Sequence, residues 1–116
     1  MKVLLVDDEK KFVTMLAKRL SLRGIDADFV HTGEEAIDMV ENNSYEVAVL
    51  DVKMPGIGGI ELRRKLSEIE PSLRFIFLTG HGSKDDFEVG SAEAEFYLSK
   101  PLRIESLMEA LEKVVK

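Results

Sequence analysis

The chain contains no cysteine, which excludes a disulfide framework and thiol chemistry. No apolar run approaches the roughly 20 residues that a membrane span needs. No signal-peptide pattern precedes the first apolar segment. Cationic residues are also scarce, with 16 Lys and Arg against 22 Asp and Glu, a formal charge of −6. That balance disfavours nonspecific binding to DNA or RNA, which works by neutralising phosphates. The short basic run Arg63-Arg64-Lys65 reads as a solvated helix face. The two histidines, His31 and His81, are isolated and do not make a zinc site. The expectation is a cytoplasmic protein that touches neither membrane nor nucleic acid directly. At 116 residues with 45% hydrophobic content, it forms one domain, residues 1–116, around its own core.

What the sequence does have is a set of polar residues, each placed directly after a short apolar run. Asp7 and Asp8 follow Lys2-Val3-Leu4-Leu5-Val6, and Asp51 follows Val47-Ala48-Val49-Leu50. Thr79 follows Phe75-Ile76-Phe77-Leu78, and Lys100 closes Phe96-Tyr97-Leu98-Ser99. Such runs read as buried parallel strands, which need no alternation because both faces are covered. Ligands in open α/β sheets bind beyond the carboxyl ends of the strands.

Strand-like and helix-like segments alternate, the pattern of βαβ units. A first helix is expected from about Lys10 to Arg23, stopped by Gly24. The alternation from Ile25 to Val30 predicts a less buried edge strand. Thr32 and Glu35 form a capping-box pattern for a second helix, which Asn42-Asn43 ends. A third helix presents Leu62, Leu66 and Ile69 before Pro71, and a weaker one follows a cap at Ser83. After Pro101, Ile104, Leu107, Met108, Leu111 and Val115 form the clearest amphipathic stripe.

Three converging carboxylates repel one another unless a cation joins them, and Mg²⁺ suits such hard oxygen ligands. Taken alone, Asp7-Asp8 also fits a helix N-cap pair; with Asp51 at a second strand end, the metal reading leads. Asp51 is open to being a third ligand, a nucleophile giving an aspartyl phosphate, or both. Lys100 can pair with Asp51 before reaction and with a phosphate afterwards, and Thr79 can donate to a phosphoryl oxygen.

Val6-Asp7-Asp8-Glu9, Leu50-Asp51-Val52-Lys53-Met54-Pro55-Gly56, Leu78-Thr79-Gly80 and Tyr97-Leu98-Ser99-Lys100-Pro101 occur in that order. With this spacing the chain resembles, end to end, the receiver domain of two-component response regulators. The resemblance implies a doubly wound five-stranded parallel sheet, flavodoxin-like, with strand order 2-1-3-4-5 and helices on both faces. It implies a phosphorylation-activated signalling switch and not a conventional enzyme. Asp51 would accept a phosphoryl group from a phosphohistidine of a histidine kinase or histidine phosphotransfer protein. Mg²⁺, or Mn²⁺ in its place, would be held by Asp8, Asp51 and the backbone carbonyl of Lys53, with Asp7 acting through water. Thr79 and Lys100 would grip the phosphoryl oxygens, and Tyr97 would turn inward as Thr79 moves. Lys53 and His81 match positions that tune the lifetime of the phosphate. Phe12 and Met15 offer a kinase-docking surface, with core packing the alternative for Phe12. The last two helices and last strand match the family's surface for an output domain or dimer partner. The chain is expected to be either a stand-alone receiver or part of a longer regulator. It departs from the family pattern at Gly58, where a polar residue is common, and at Glu93, where glycine is common.

Overall fold

The computed structural model describes residues 1–80 and 96–115. The expected cap at Ser83, the helix after it, His81 and Glu93 lie outside the described residues. Five strands are formed: β1 (Lys2–Val6), β2 (Asp26–Val30), β3 (Val47–Asp51), β4 (Arg74–Thr79) and β5 (Phe96–Ser99). They make one parallel sheet in the order β2-β1-β3-β4-β5, as the resemblance implied. The described helices are α1 (Lys10–Ser21), α2 (Gly33–Asn42), α3 (Gly59–Ile69) and α4 (Ile104–Val114).

The strand period of two splits the apolar runs between two cores. Val3, Leu5, Val47, Val49, Ile76 and Leu78 face α1 and α4. Leu4, Val6, Ala48, Leu50, Phe75 and Phe77 face α2 and α3. Both faces of the central strands are therefore apolar, which is why the sequence shows runs there and not alternation.

Helix ends follow local chemistry. α1 closes earlier than Arg23, because Ile25 N–H donates to the Leu20 carbonyl and Gly24 N–H to that of Ser21. This Schellman arrangement needs a left-handed residue, and Gly24 supplies it at φ +81°. At α2, Thr32 Oγ1 accepts from Glu35 N–H at 3.1 Å. The Glu35 carboxylate reaches one residue past the cap, to His31 N–H at 3.2 Å. The Asn42 and Asn43 side-chain amides then donate to the Asp38 and Met39 carbonyls, satisfying acceptors the last turn leaves open.

Several burial expectations are corrected. Val114, not Val115, completes the α4 stripe; Val115 is 39% exposed. Ile69, at 38% exposure, lies at the rim of the α3 face, whereas β2 is the less buried edge strand that its alternation predicts, with Val30 its one buried residue. Arg63 is not on the solvated face: its guanidinium lies 5.2 Å from the Phe75 ring centroid, half-buried, while Arg64 and Lys65 remain exposed. The helix periodicity places residue 63 beside Leu62 and Leu66, and its long side chain covers apolar surface with its stem.

The β3–α3 connection brings the start of α3 against the end of β3. A Cβ at Gly59 would collide with the Asp51 carbonyl oxygen and sit 2.9 Å from its carbon. Gly58 is different: its φ is −73°, and a Cβ there would meet the Val52 oxygen only at 3.4 Å. As N-cap of α3 it makes no side-chain bond, so the polar residue common in the family at this point would cap a helix that Gly58 leaves uncapped.

Two outcomes follow from this packing. Gly59→Ala should destabilise the domain by about 1–3 kcal/mol, since the clash is with backbone; Gly58→Ala should cost under about 1 kcal/mol, both read from urea midpoints. On the opposite side, buried Tyr45 donates its hydroxyl to Asp28 Oδ2 at 2.6 Å, tying the approach to β3 onto edge strand β2. Burial, then Asp28, pushes the Tyr45 phenol up. A phenol raised in the folded state contributes fully below the unfolded value near 10 and loses that contribution as pH rises above it. Tyr45→Phe should therefore cost about 1–2 kcal/mol at pH 7 and show a smaller alkaline loss, read by denaturant titration at each pH.

Candidate functional site

The carboxyl ends of β1, β3, β4 and β5 put Asp7, Asp51, Thr79 and Lys100 at one edge of the sheet. Parallel pairing fixes their levels. Asp51 lies opposite Leu78, one residue before Thr79, and Thr79 lies opposite Ser99, one residue before Lys100. Lys100 N–H donates to the Thr79 carbonyl at 2.7 Å, so the lysine backbone is anchored to the end of β4. The Lys100–Pro101 peptide is cis.

Asp7, Asp51 and Thr79 are the buried polar residues of the described chain, at 1%, 5% and 5% exposure. Asp8 is exposed. One carboxylate oxygen from each of Asp7, Asp8 and Asp51 lies within 4.8 Å of the others. The N-cap alternative for the pair is not what forms: Glu9 is the N-cap of α1, with no side-chain cap bond, and Asp7 Oδ1 accepts from Glu9 N–H at 2.9 Å.

The Lys100 ammonium is the described counter-charge within this group. Its Nζ lies 2.6 Å from Glu9 Oε1, 2.8 Å from Asp7 Oδ2 and 3.8 Å from Asp51 Oδ2. It also sits 4.6 Å from the centroid of the Phe12 ring, a cation–π contact that gives half-buried Phe12 a use beyond core packing or docking. Glu9 and Phe12 thus join the site, although the sequence assigned Glu9 no task. Its position after two aspartates was the available signal; its partner is 91 residues away.

Burial and then the charge of Asp7 push the Asp51 carboxyl up to about 7, against the pull of Lys100. A hydrogen bond from the Lys53 backbone also favours its ionised form. Burial raises Asp7 as well, and its ion pair with Lys100 offsets only part of that. Burial alone would lower Lys100, but its bonds to Asp7 and Glu9 and the charge of Asp51 leave it raised, so it is cationic at neutral pH. One ammonium does not neutralise the three aspartates and Glu9. All-oxygen donors held this close, with their charge uncompensated among the described residues, match what a hard divalent cation takes.

Tyr97 is half-buried on the core beneath α2 and α3, its ring edge-on to Phe77 at 6.3 Å and 80°. Lys53 is exposed.

The charge imbalance has a stability consequence. A carboxyl raised to about 7 weakens the fold progressively as pH climbs from the unfolded value near 4, with the full loss present above 7. Asp51→Asn should therefore be more stable than wild type at pH 8 without divalent cation, by about 1–3 kcal/mol, the gap closing toward pH 4. Adding Mg²⁺ should stabilise wild type and do much less for the variant, both read by thermal melts.

This arrangement has counterparts among known proteins. The family model for the response regulator receiver domain matches residues 3–112. Response regulator MprA of Mycobacterium avium (strain 104) is 32% identical over 117 residues, which cover 100% of this chain and 51% of that protein. The chain thus spans about half the length of the curated relative it matches. Among solved structures, a CheY-like receiver domain protein from Methanospirillum hungatei JF-1 superposes with a TM-score of 0.91 at 26% identity, covering 98% of this chain and 92% of that one. Response regulator protein TrrA from Thermotoga maritima, solved in complex with Mg²⁺-BeF, superposes at 0.86 with 29% identity, covering 97% of both chains. The sheet order, the acidic edge and these likenesses agree: the chain belongs to the receiver domains of two-component response regulators.

Proposed function

We propose that this domain is a phosphorylation switch in which Asp51 takes a phosphoryl group from a phosphohistidine on a histidine kinase or histidine phosphotransfer protein. The observation that carries the reading is the position of Asp51: buried at the end of β3, 3.8 Å from Lys100, and within ligand distance of Asp7 and Asp8. An ionised Asp51 oxygen attacks phosphorus, the P–N bond to the donor imidazole breaks, and its electron pair leaves with the imidazole. A bound Mg²⁺, or Mn²⁺, supplies charge neutralisation for the phosphoryl oxygens. Asp8, Asp51 and the Lys53 carbonyl would hold the ion, with Asp7 reaching it through water. Lys100 and Thr79, on neighbouring strand ends, grip the phosphoryl oxygens. That TrrA, with the same fold, was solved in complex with Mg²⁺-BeF supports a receiver of this shape taking a metal ion and a phosphoryl-like group.

The product carries up to about two negative charges and three acceptor oxygens where a single carboxylate stood. Gripping it draws Thr79 and Lys100 toward Asp51, and Tyr97, packed on Phe77, is the aromatic that repacks in response. Lys53 and His81 tune how long the acyl phosphate lasts. The domain catalyses its own loading and unloading and no further reaction. Its donor docks in an open groove of about 450 Å³ that adjoins Lys100 and is lined by Phe12, Met15, Pro101 and Leu102. Signal leaves through β5 and α4 to an output domain or a second copy; half-buried Phe96 and Leu98 beside Ala110 line a smaller groove there. Among the described residues no helix is long and apolar enough to cross a membrane.

Intact mass after incubation with Mg²⁺ and acetyl phosphate tests the proposal. Wild type should gain one phosphoryl group in an Mg²⁺-dependent way, and Asp51→Asn should gain none. A wild type that stays unmodified with acetyl phosphate and with phosphohistidine donors under rapid quenching would replace the switch with a protein-binding scaffold.

A further inference from the structure

We infer that Glu9 is a positioning residue that holds Lys100 at the rim of the pocket, favouring the divalent cation and opposing the phosphoryl group. This rests on Asp51 being the phosphoacceptor. Of the three carboxylates around the Lys100 ammonium, Glu9 is nearest at 2.6 Å and is 60% exposed in its side chain. It stands outside the group of Asp7, Asp8 and Asp51 whose oxygens gather within 4.8 Å. Asp51, at 3.8 Å, is beyond hydrogen-bonding distance of the same ammonium. Glu9 therefore takes one of its three N–H donors, Asp7 forms an ion pair with it at 2.8 Å, and the Phe12 ring lies against it at 4.6 Å.

Two effects share one sign for the phosphoryl group. A donor spent on Glu9 has to be released or shared before Lys100 can serve the new oxygens. Glu9 also adds a fourth negative charge beside a pocket that must accept a dianionic group. For a cation both effects reverse: Glu9 adds attraction, and it keeps Lys100 from settling on Asp51 in competition with the ion. Removing this one charge should move the two affinities in opposite directions. A purely structural role has no means of doing that. Glu9 caps α1 through its backbone only, so its side chain can be changed without removing a cap bond.

The test uses the full chain as wild type, Glu9→Gln and Asp51→Asn. Mg²⁺ dissociation constants come from calorimetry, and beryllofluoride dissociation constants at saturating Mg²⁺ come from ¹⁹F NMR. Glu9→Gln should bind Mg²⁺ roughly two- to fivefold more weakly and beryllofluoride more tightly by a similar factor, the range open to an ion pair with one exposed partner. Its Lys100 ammonium signal in ¹⁵N spectra of the ion-free protein should lose the protection that a salt-bridged amine shows. If wild type binds beryllofluoride and both affinities are unchanged in Glu9→Gln, or move the same way, the inference is overturned and the phosphoacceptor reading stands. If wild type takes no beryllofluoride, the phosphoacceptor reading falls and the inference with it.

Discussion

Like charge is gathered at the carboxyl edge of this sheet faster than it is neutralised. Asp7 and Asp51 are almost fully buried, Asp8 is within ligand distance of both, and Lys100 is the cation set among them. A buried carboxylate without full compensation weakens its own fold. The site persists because two apolar cores on either side of β1, β3 and β4 hold the strand ends in place whatever the charges prefer. The edge is in this sense a stored instability, which under the proposed function a cation would relieve and a phosphoryl group would rearrange. A switch needs two states of similar free energy, and a pocket that is not content in its resting state supplies that closeness.

Lys100 is where the competing demands meet. Its backbone is pinned to Thr79 and its ammonium is shared among Asp7, Glu9 and, more distantly, Asp51. Anchoring the main chain while leaving the charged end a choice of partners is what the proposed switch would use to make a change at Asp51 felt at the ends of β4 and β5. The T-shaped contact of Tyr97 on Phe77 continues that path into the core beneath α2 and α3. Gly59 acts on the other side of Asp51: its missing side chain lets α3 start directly against the strand end, so the Asp51 backbone has little room to yield. Under the proposed function, a lysine with a choice of partners against a fixed aspartate would divide the labour of sensing a new group.

Most of the frame was legible in the sequence because it depends on local rules. Apolar runs ending in Asp7, Asp51 and Thr79 announced buried parallel strands and where their polar ends would meet. Gly24 and Thr32 marked helix boundaries through backbone chemistry that hardly involves the rest of the fold. The misreadings share one cause, which is that burial is decided by neighbours distant in sequence. Arg63 sits in a charged triplet yet lies over Phe75. Val114 and Val115 are chemically the same, and only the phase of α4 against β5 decides which is buried. Asp28 looked like the polar half of an alternating edge strand, and its half-buried place is explained by the Tyr45 hydroxyl.

Glu9 shows the same limit inside the site. Residue order joins it to Asp7 and Asp8 as if the three were one acidic motif. Geometry divides them: the aspartates face one another across the pocket, while Glu9 turns toward a lysine from the far end of the chain. Motif spacing identifies groups that act on a shared ligand, because those must converge. It does not identify a group that acts on another residue's freedom, because many positions could restrain a long, flexible lysine.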